Sequence, residues 1–178
     1  VVSGSGDFGD LRVSGGYDTG SALTVTGEFN NSSGTIDLTA GGGITLNGSD
    51  IVLDLDGGTV DQDASNQITI SGSDAQQIEL GGNNRSISNL TVDKTGVNPV
   101  TVNSSGSNNL TVTSNFALSG GRVQLPNGGG GFGSENENLV LSGDASIGGS
   151  IIPATSGGSS QLLLGQTSDA TIGGNGQI

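Results

Sequence analysis

The chain of 178 residues has no Cys, no His, no Met and no Trp, and only four basic side chains. Without Cys there is neither a disulfide framework nor a thiolate metal site, and cysteine usage gives no redox compartment. With Lys94, Arg12, Arg85, Arg122 and Tyr17 as its only other proton-handling groups, catalysis is left to carboxylates, and an enzyme is not the expected reading. No apolar run approaches the roughly 18 residues that a membrane helix needs, so membrane insertion is not expected. Seventeen acidic residues against four basic ones give a net charge of −13. That charge repels phosphate backbones, which makes nucleic acid an unexpected partner. No signal peptide is visible, and a chain that starts at Val1 without any Met reads as a processed product or an excised piece.

Hydrophobic residues are scarce too, at 30%, which is thin for an ordinary globule. Their kind and placement compensate. Nearly all are Val, Ile or Leu in short alternating runs such as Leu23/Val25, Ile36/Leu38, Ile44/Leu46, Ile68/Ile70, Val100/Val102 and Leu110/Val112. Between them lie Gly-, Asn- and Ser-rich breaks such as Asn30 to Gly34, Ala40 to Gly43 and Asn47 to Asp50, which supply turns at low cost. β-Branched residues in phase with a period of two argue against disorder and for brief strands. Apolar spacing at three and four is sustained nowhere, so no helix is expected.

The alternating words recur. Setting Leu23 on Leu110, an offset of 87, also pairs Val25 with Val112, Phe29 with Phe116, Gly34 with Gly121, Ile36 with Val123 and Leu38 with Leu125. Leu11-Arg12-Val13 matches Leu90-Thr91-Val92 at an offset of 79, and Ile51 to Leu53 matches Leu139 to Leu141 at 88. The chain therefore reads as one repetitive domain over residues 1–178, with the long repeat roughly at 11–55 and 90–141. Asn98 to Val102 reads as an additional strand inserted in the second copy, and Gly128 to Phe132 as an outward loop.

One alternating strand cannot shield its apolar side from water, whereas stacked strands cover one another. The expected fold is all-β: a right-handed parallel β-helix, or β-solenoid, of short strands, its hand following the crossover rule. Leu90 and Leu110 sit 20 apart inside the same Asn-Leu-Thr-Val word, which suggests about 20 residues per coil. Eight or nine such coils at about 4.8 Å would make a rod on the order of 40 Å long. An antiparallel sandwich is the rival, disfavoured because Asn-Gly hairpin signals are few.

The run Gln67-Ile68-Thr69-Ile70-Ser71-Gly72-Ser73-Asp74-Ala75-Gln76-Gln77-Ile78, then Ile87-Ser88-Asn89-Leu90-Thr91-Val92 and Leu110 to Gly121, resembles a known family. It is similar to the Gly/Asn/Thr-rich repeats of large secreted surface proteins of Bacteroidota type, and more loosely to filamentous-haemagglutinin-like passengers. The resemblance implies a β-helix displayed outside the cell as a stalk, adhesin or matrix component. The C-terminal sorting domain that such proteins often carry is not evident.

Among candidate sites, the densest acidic stretch holds Asp50, Asp54, Asp56, Asp61 and Asp63. Hard oxygen ligands at a Gly-rich turn suit calcium, although the spacing matches neither the EF-hand nor the Gly-Gly-x-Gly-x-Asp repeat. A solvated acidic face is the plain alternative, and acid-base work on a polysaccharide a remoter one. No other cofactor is expected. The pairs Thr24/Thr26 and Thr111/Thr113 are of the kind that ice-binding β-helices arrange in rows, but two pairs make no flat array. Asn-x-Ser/Thr sequons stand at Asn30, Asn31, Asn47, Asn84, Asn89, Asn103 and Asn109, many of them expected by chance in such a composition.

Neither Val1-Val2 nor Gln177-Ile178 reads as a polar cap, and uncapped coils expose strand edges. The sequence therefore points to an extracellular structural or adhesive β-helix module on the cell surface, as a stalk segment or a filament subunit that stacks end to end. The alternative is a module that binds surface glycans or calcium through the Asp50 to Asp63 turns.

Overall fold

A computed structural model of the chain describes residues 6–13, 16–18, 21–31, 33–39, 42–63, 65–106, 108–125, 137–153, 160–164 and 172–176. Among the described residues there is no helix, and every strand pairing is parallel. The chain is a β-solenoid whose strands stack in parallel ladders along three sides of the coil.

The first side stacks Gly6–Phe8, Leu23–Val25, Ile44–Leu46, Ile68–Gly72, the second halves of Arg85–Lys94 and Leu110–Gly120, Asp144–Ile147 and Ile172–Gly173. The second side stacks Leu11–Val13, Phe29–Asn31, Asp50–Asp54, Gln76–Glu79, Pro99–Asn103, Arg122–Gln124 and Ser150–Ile152. On the third side Gly16–Asp18, Thr35–Asp37 and Thr59–Asp61 form one ladder. A second ladder there takes in the first halves of Arg85–Lys94 and Leu110–Gly120, then Glu137–Leu141 and Ser160–Leu164.

Alternation within each strand sends one set of side chains into a shared interior. On the first side Leu23, Ile44, Ile68, Leu90, Phe116 and Ala145 stand in register one above the other. All six are at most 4% exposed, which for an aliphatic chain is worth about 1.5–3 kcal/mol each. Leu23, Val25, Leu110 and Val112 all face this interior, as the alternation requires.

The coil is less regular than the expected 20 residues, and in most of the chain longer. Partners lie from 17 residues apart (Gly6 to Leu23) to 29 (Phe116 to Ala145). Leu90 and Leu110 are therefore not stacked: Leu90 pairs with Phe116, and Leu110 with Arg85 and Leu139. The 87-residue offset likewise carries one side onto another. It takes Leu23 on the first side to Leu110 on the third, Phe29 on the second to Phe116 on the first, and Ile36 on the third to Val123 on the second. The repeated word marks a side of the coil, not a whole coil.

Two strand expectations need correction. Pro99–Asn103 is not an addition to the coil but a regular rung of the second side, paired with Gln76–Glu79 below and Arg122–Gln124 above. In Asp50–Asp54 the alternation breaks, because Val52 and Leu53 are both buried while Ile51 is half-buried. The ladder register slips between Gln77 and Ile78, and Asp50 adopts a left-handed φ of 59°, so one extra residue is absorbed as a bulge. The expected loop at Gly128 to Phe132 lies outside the described residues.

Corners are held by amides. Asn84 Oδ1 accepts from Asn109 N at 2.8 Å, and Asn109 Oδ1 accepts from Asn138 N at 3.1 Å and from Asn138 Nδ2 at 2.9 Å. At another corner Asn115 Nδ2 donates to Asn89 Oδ1 (2.8 Å) and Asn89 Nδ2 to the carbonyl of Asn66 (3.0 Å). Asn66, Asn89 and Asn138 are at least nine-tenths buried, so these bonds satisfy backbone groups that water no longer reaches.

If the stacked interior carries the stability, removing part of one rank should cost far more than any surface change. Leu46→Ala, at a fully buried site, is expected to destabilise by about 2–5 kcal/mol in urea unfolding. Val97→Ser, at a residue 73% exposed, is expected to stay within about 0.5 kcal/mol of the parent.

Candidate functional site

The five candidate aspartates are not gathered at one point. Asp50 and Asp54 open and close a second-side strand, Asp56 lies in the turn after it, Asp61 ends a third-side strand, and Asp63 sits at the next corner. Among the described residues no group of three or more acidic side chains is placed to hold a metal ion.

Each of three carboxylates has a local use instead. Asp63 Oδ1 accepts from Ser65 N (2.8 Å), Ser65 Oγ (2.7 Å) and Asn66 Nδ2 (2.9 Å), closing the corner turn. The Ser65 hydroxyl and amide hold its pKa below the usual carboxylate range. Asp37 is lowered in the same way by the Thr39 hydroxyl and amide, whose bonds to Asp37 Oδ1 measure 2.5 and 2.8 Å. Asp54 behaves oppositely. Burial raises its pKa first, and the charges of Glu28, Asp56 and Glu79 add to this against the bond from Asp56 N. Asn30 Nδ2 donates to both Asp54 Oδ2 (2.6 Å) and Glu28 Oε1 (2.9 Å), while Asn103 Nδ2 donates to Glu79 Oε2 at 2.8 Å. The outward second side is thus a row of acids interleaved with asparagines.

The first side is different. Thr24, Thr45, Thr69 and Thr91 stand in register over four rungs, followed by Ala117 and Ser146. Thr26 lies on the same side as Thr24, whereas Thr111 pairs with Ser86 and Val140 on the third. The two Thr-x-Thr pairs therefore share no array. The four-rung rank escaped the sequence because its members are 21, 24 and 22 residues apart.

A further feature was invisible in the sequence. On the third side no backbone ladder joins Thr59–Asp61 to the first half of Arg85–Lys94 among the described residues, and a cavity of about 380 Å³ opens there. Its lining includes Leu55, Thr59, Val60, Arg85, Ile87 and Ser88. Side chains replace the missing ladder. Gln62 accepts from Ser88 N through Oε1 (2.8 Å) and donates from Nε2 to the Asn89 carbonyl (3.1 Å), as a backbone amide would. Arg85 stands in register with the buried Leu110. Its guanidinium donates to the carbonyls of Leu80 (3.2 Å), Gly58 (3.1 Å) and Asp56.

Of the sequon asparagines, Asn31 and Asn89 are buried, and each donates from Nδ2 to a carbonyl one coil away, Asn31 to Thr59 and Asn89 to Asp63. Asn47 and Asn84 are exposed.

No protein-family model, curated protein or solved structure matches the chain.

Two outcomes follow for these residues. Arg85→Ala strips the partner from three carbonyls and is expected to destabilise by about 1–3 kcal/mol in urea unfolding, with Arg85→Lys in between. Because the folded state raises the pKa of Asp54 above the ordinary aspartate value, it favours the protonated form, and ionisation costs stability as pH rises through the carboxylate range. Asp54→Asn should therefore raise Tm at neutral pH and leave it unchanged well below pH 3.8, as scanning calorimetry at both pH values would register.

Proposed function

We propose that this chain is an extracellular structural module, a β-helix that serves as a stalk segment or stacks end to end as a filament subunit on the cell surface. The single observation that supports this most is the continuity of the inward ranks. Apolar residues follow one another from Val13 to Ile151 along three sides, and each coil is covered only by its neighbours, as in a quasi-one-dimensional array. The surface placement rests on the resemblance to Bacteroidota-type secreted repeats. Ser160–Leu164 bears Leu163 and Leu164 at 38% and 45% exposure and is the last third-side strand among the described residues. An apolar strand in that place favours pairing with a further strand.

The acids of the second side and the net charge of −13 oppose lateral association, which favours growth along the axis. The second reading, a module binding glycan or calcium, keeps the Asp50 to Asp63 turns as its candidate surface. Their carboxylates are spread over two sides and a corner, which favours a solvated acidic surface over a single cation site.

Negative-stain microscopy across a concentration series is expected to show rods that lengthen with concentration, more readily at high salt, where the −13 charge is screened. Short particles of constant length at every concentration and salt would contradict stacking and leave the stalk segment alone. For the second reading, calcium is expected to shift Tm no more than an inert salt of equal ionic strength. A calcium-specific rise in calorimetry would transfer the function to the acidic turns.

A further inference from the structure

The chain's one lysine is out of place. Lys94 ends its strand only 4% exposed, and Gln76, one coil below, is 1% exposed. The lysine amine donates to the Asp74 carbonyl and to Gln76 Oε1. The carboxamide is itself fixed, because Gln76 Nε2 donates to the carbonyls of Gly48 (2.8 Å) and Ser71 (2.7 Å). Which atom is oxygen and which nitrogen follows from those two acceptors. The next coil closes the pocket. Gly121, with φ at +76°, lies so near that a Cβ there would come within 2.6 Å of Lys94 Cβ.

Burial pulls the Lys94 pKa down, against an opposing pull from the Asp74 charge. The neutral form of the amine, which burial favours, has two N–H groups and one lone pair. Both N–H groups have acceptors here, in Asp74 O and Gln76 Oε1, so the lone pair is free. A nucleophile held in contact with an electrophile away from water gains an effective concentration on the order of 10⁵–10⁸ M when the geometry is right.

We infer that Lys94 and Gln76 join in an intramolecular isopeptide bond that staples two adjacent coils. Rotation about the last bonds of the lysine side chain turns the lone pair from beside Oε1 onto Cδ, and the Nζ–Cδ bond forms. The proton lost from Nζ passes to Nε2, with the Asp74 carboxylate, the one charge acting on Lys94, as carrier. The Cδ–Nε2 bond then breaks and ammonia leaves. One amide replaces another, so no oxidant or co-reactant is needed. This inference goes beyond the proposed function and does not depend on it, although a covalent link between coils suits a load-bearing rod without Cys.

The test is the intact mass of the purified, folded chain, followed by proteolysis and tandem mass spectrometry. The expected result is a deficit of one ammonia and a branched peptide joining residues 76 and 94. The Asp74→Asn variant, at an exposed residue outside the core, should show the same product forming more slowly, and Lys94→Met should show the full mass. Full mass in the folded parent after prolonged incubation at mildly alkaline pH overturns the inference. So does a deficit that persists in Lys94→Met or maps to a succinimide at Asn47-Gly48, Asn127-Gly128 or Asn175-Gly176.

Discussion

Everything in this structure depends on coils lying in register, so that each inward aliphatic side chain is covered by the one above and the one below. A strand of three residues such as Leu23–Val25 or Ile44–Leu46 contributes only two inward side chains and a few ladder bonds. It would not persist alone. In register, the same residues form ranks such as Val25, Leu46, Ile70 and Val92, none of them exposed to solvent. A hydrophobic content too low for a globule is then enough, because most of the described apolar residues are buried in the interior.

The outer surface is less constrained than the interior, and the three sides use that freedom differently. The second side alternates acids with asparagines that bridge them, and burial, with the neighbouring acids, makes its Asp54 hard to ionise. The first side is largely uncharged and carries a rank of threonines, which suits a pleated surface. The third side is broken at the Arg85 cavity, where a guanidinium and the Gln62 carboxamide take over bonds that backbone would otherwise make. Half-buried basic and amide groups thus serve the backbone at the place where the coil is irregular.

How far the fold was legible follows from the same division. Alternation in Leu23/Val25 or Leu110/Val112 is imposed by the interior, and so strand type, facing and parallel stacking could be read directly. Coil length could not, because corners of different size separate the sides, and no residue marks where one coil ends. That is why a word shared by Leu90 and Leu110 looked like a coil, although it identifies only a side. The 87-residue echo persists for the same reason: every side asks for the same alternation, so a segment can be repeated one side out of step. Asn66, Asn89 and Asn109 look like turn filler in the sequence, and only the stacked coils reveal the bonds they make to the rung above or below. Arg85 and Lys94 gave no signal beyond their rarity, since what each touches is one coil away.

The most direct measurement of in-register stacking uses the absence of native Cys. Thr45 and Thr69 are partners on neighbouring rungs, and Thr91 lies one rung further. Neighbouring rungs at about 4.8 Å fall within disulfide reach, and a two-rung separation of about 10 Å does not. Thr45→Cys with Thr69→Cys is therefore expected to oxidise readily in the folded chain, and Thr45→Cys with Thr91→Cys to remain reduced. A neighbouring pair that fails to close, or a two-rung pair that closes as fast, would contradict the stacked coil on which the account rests.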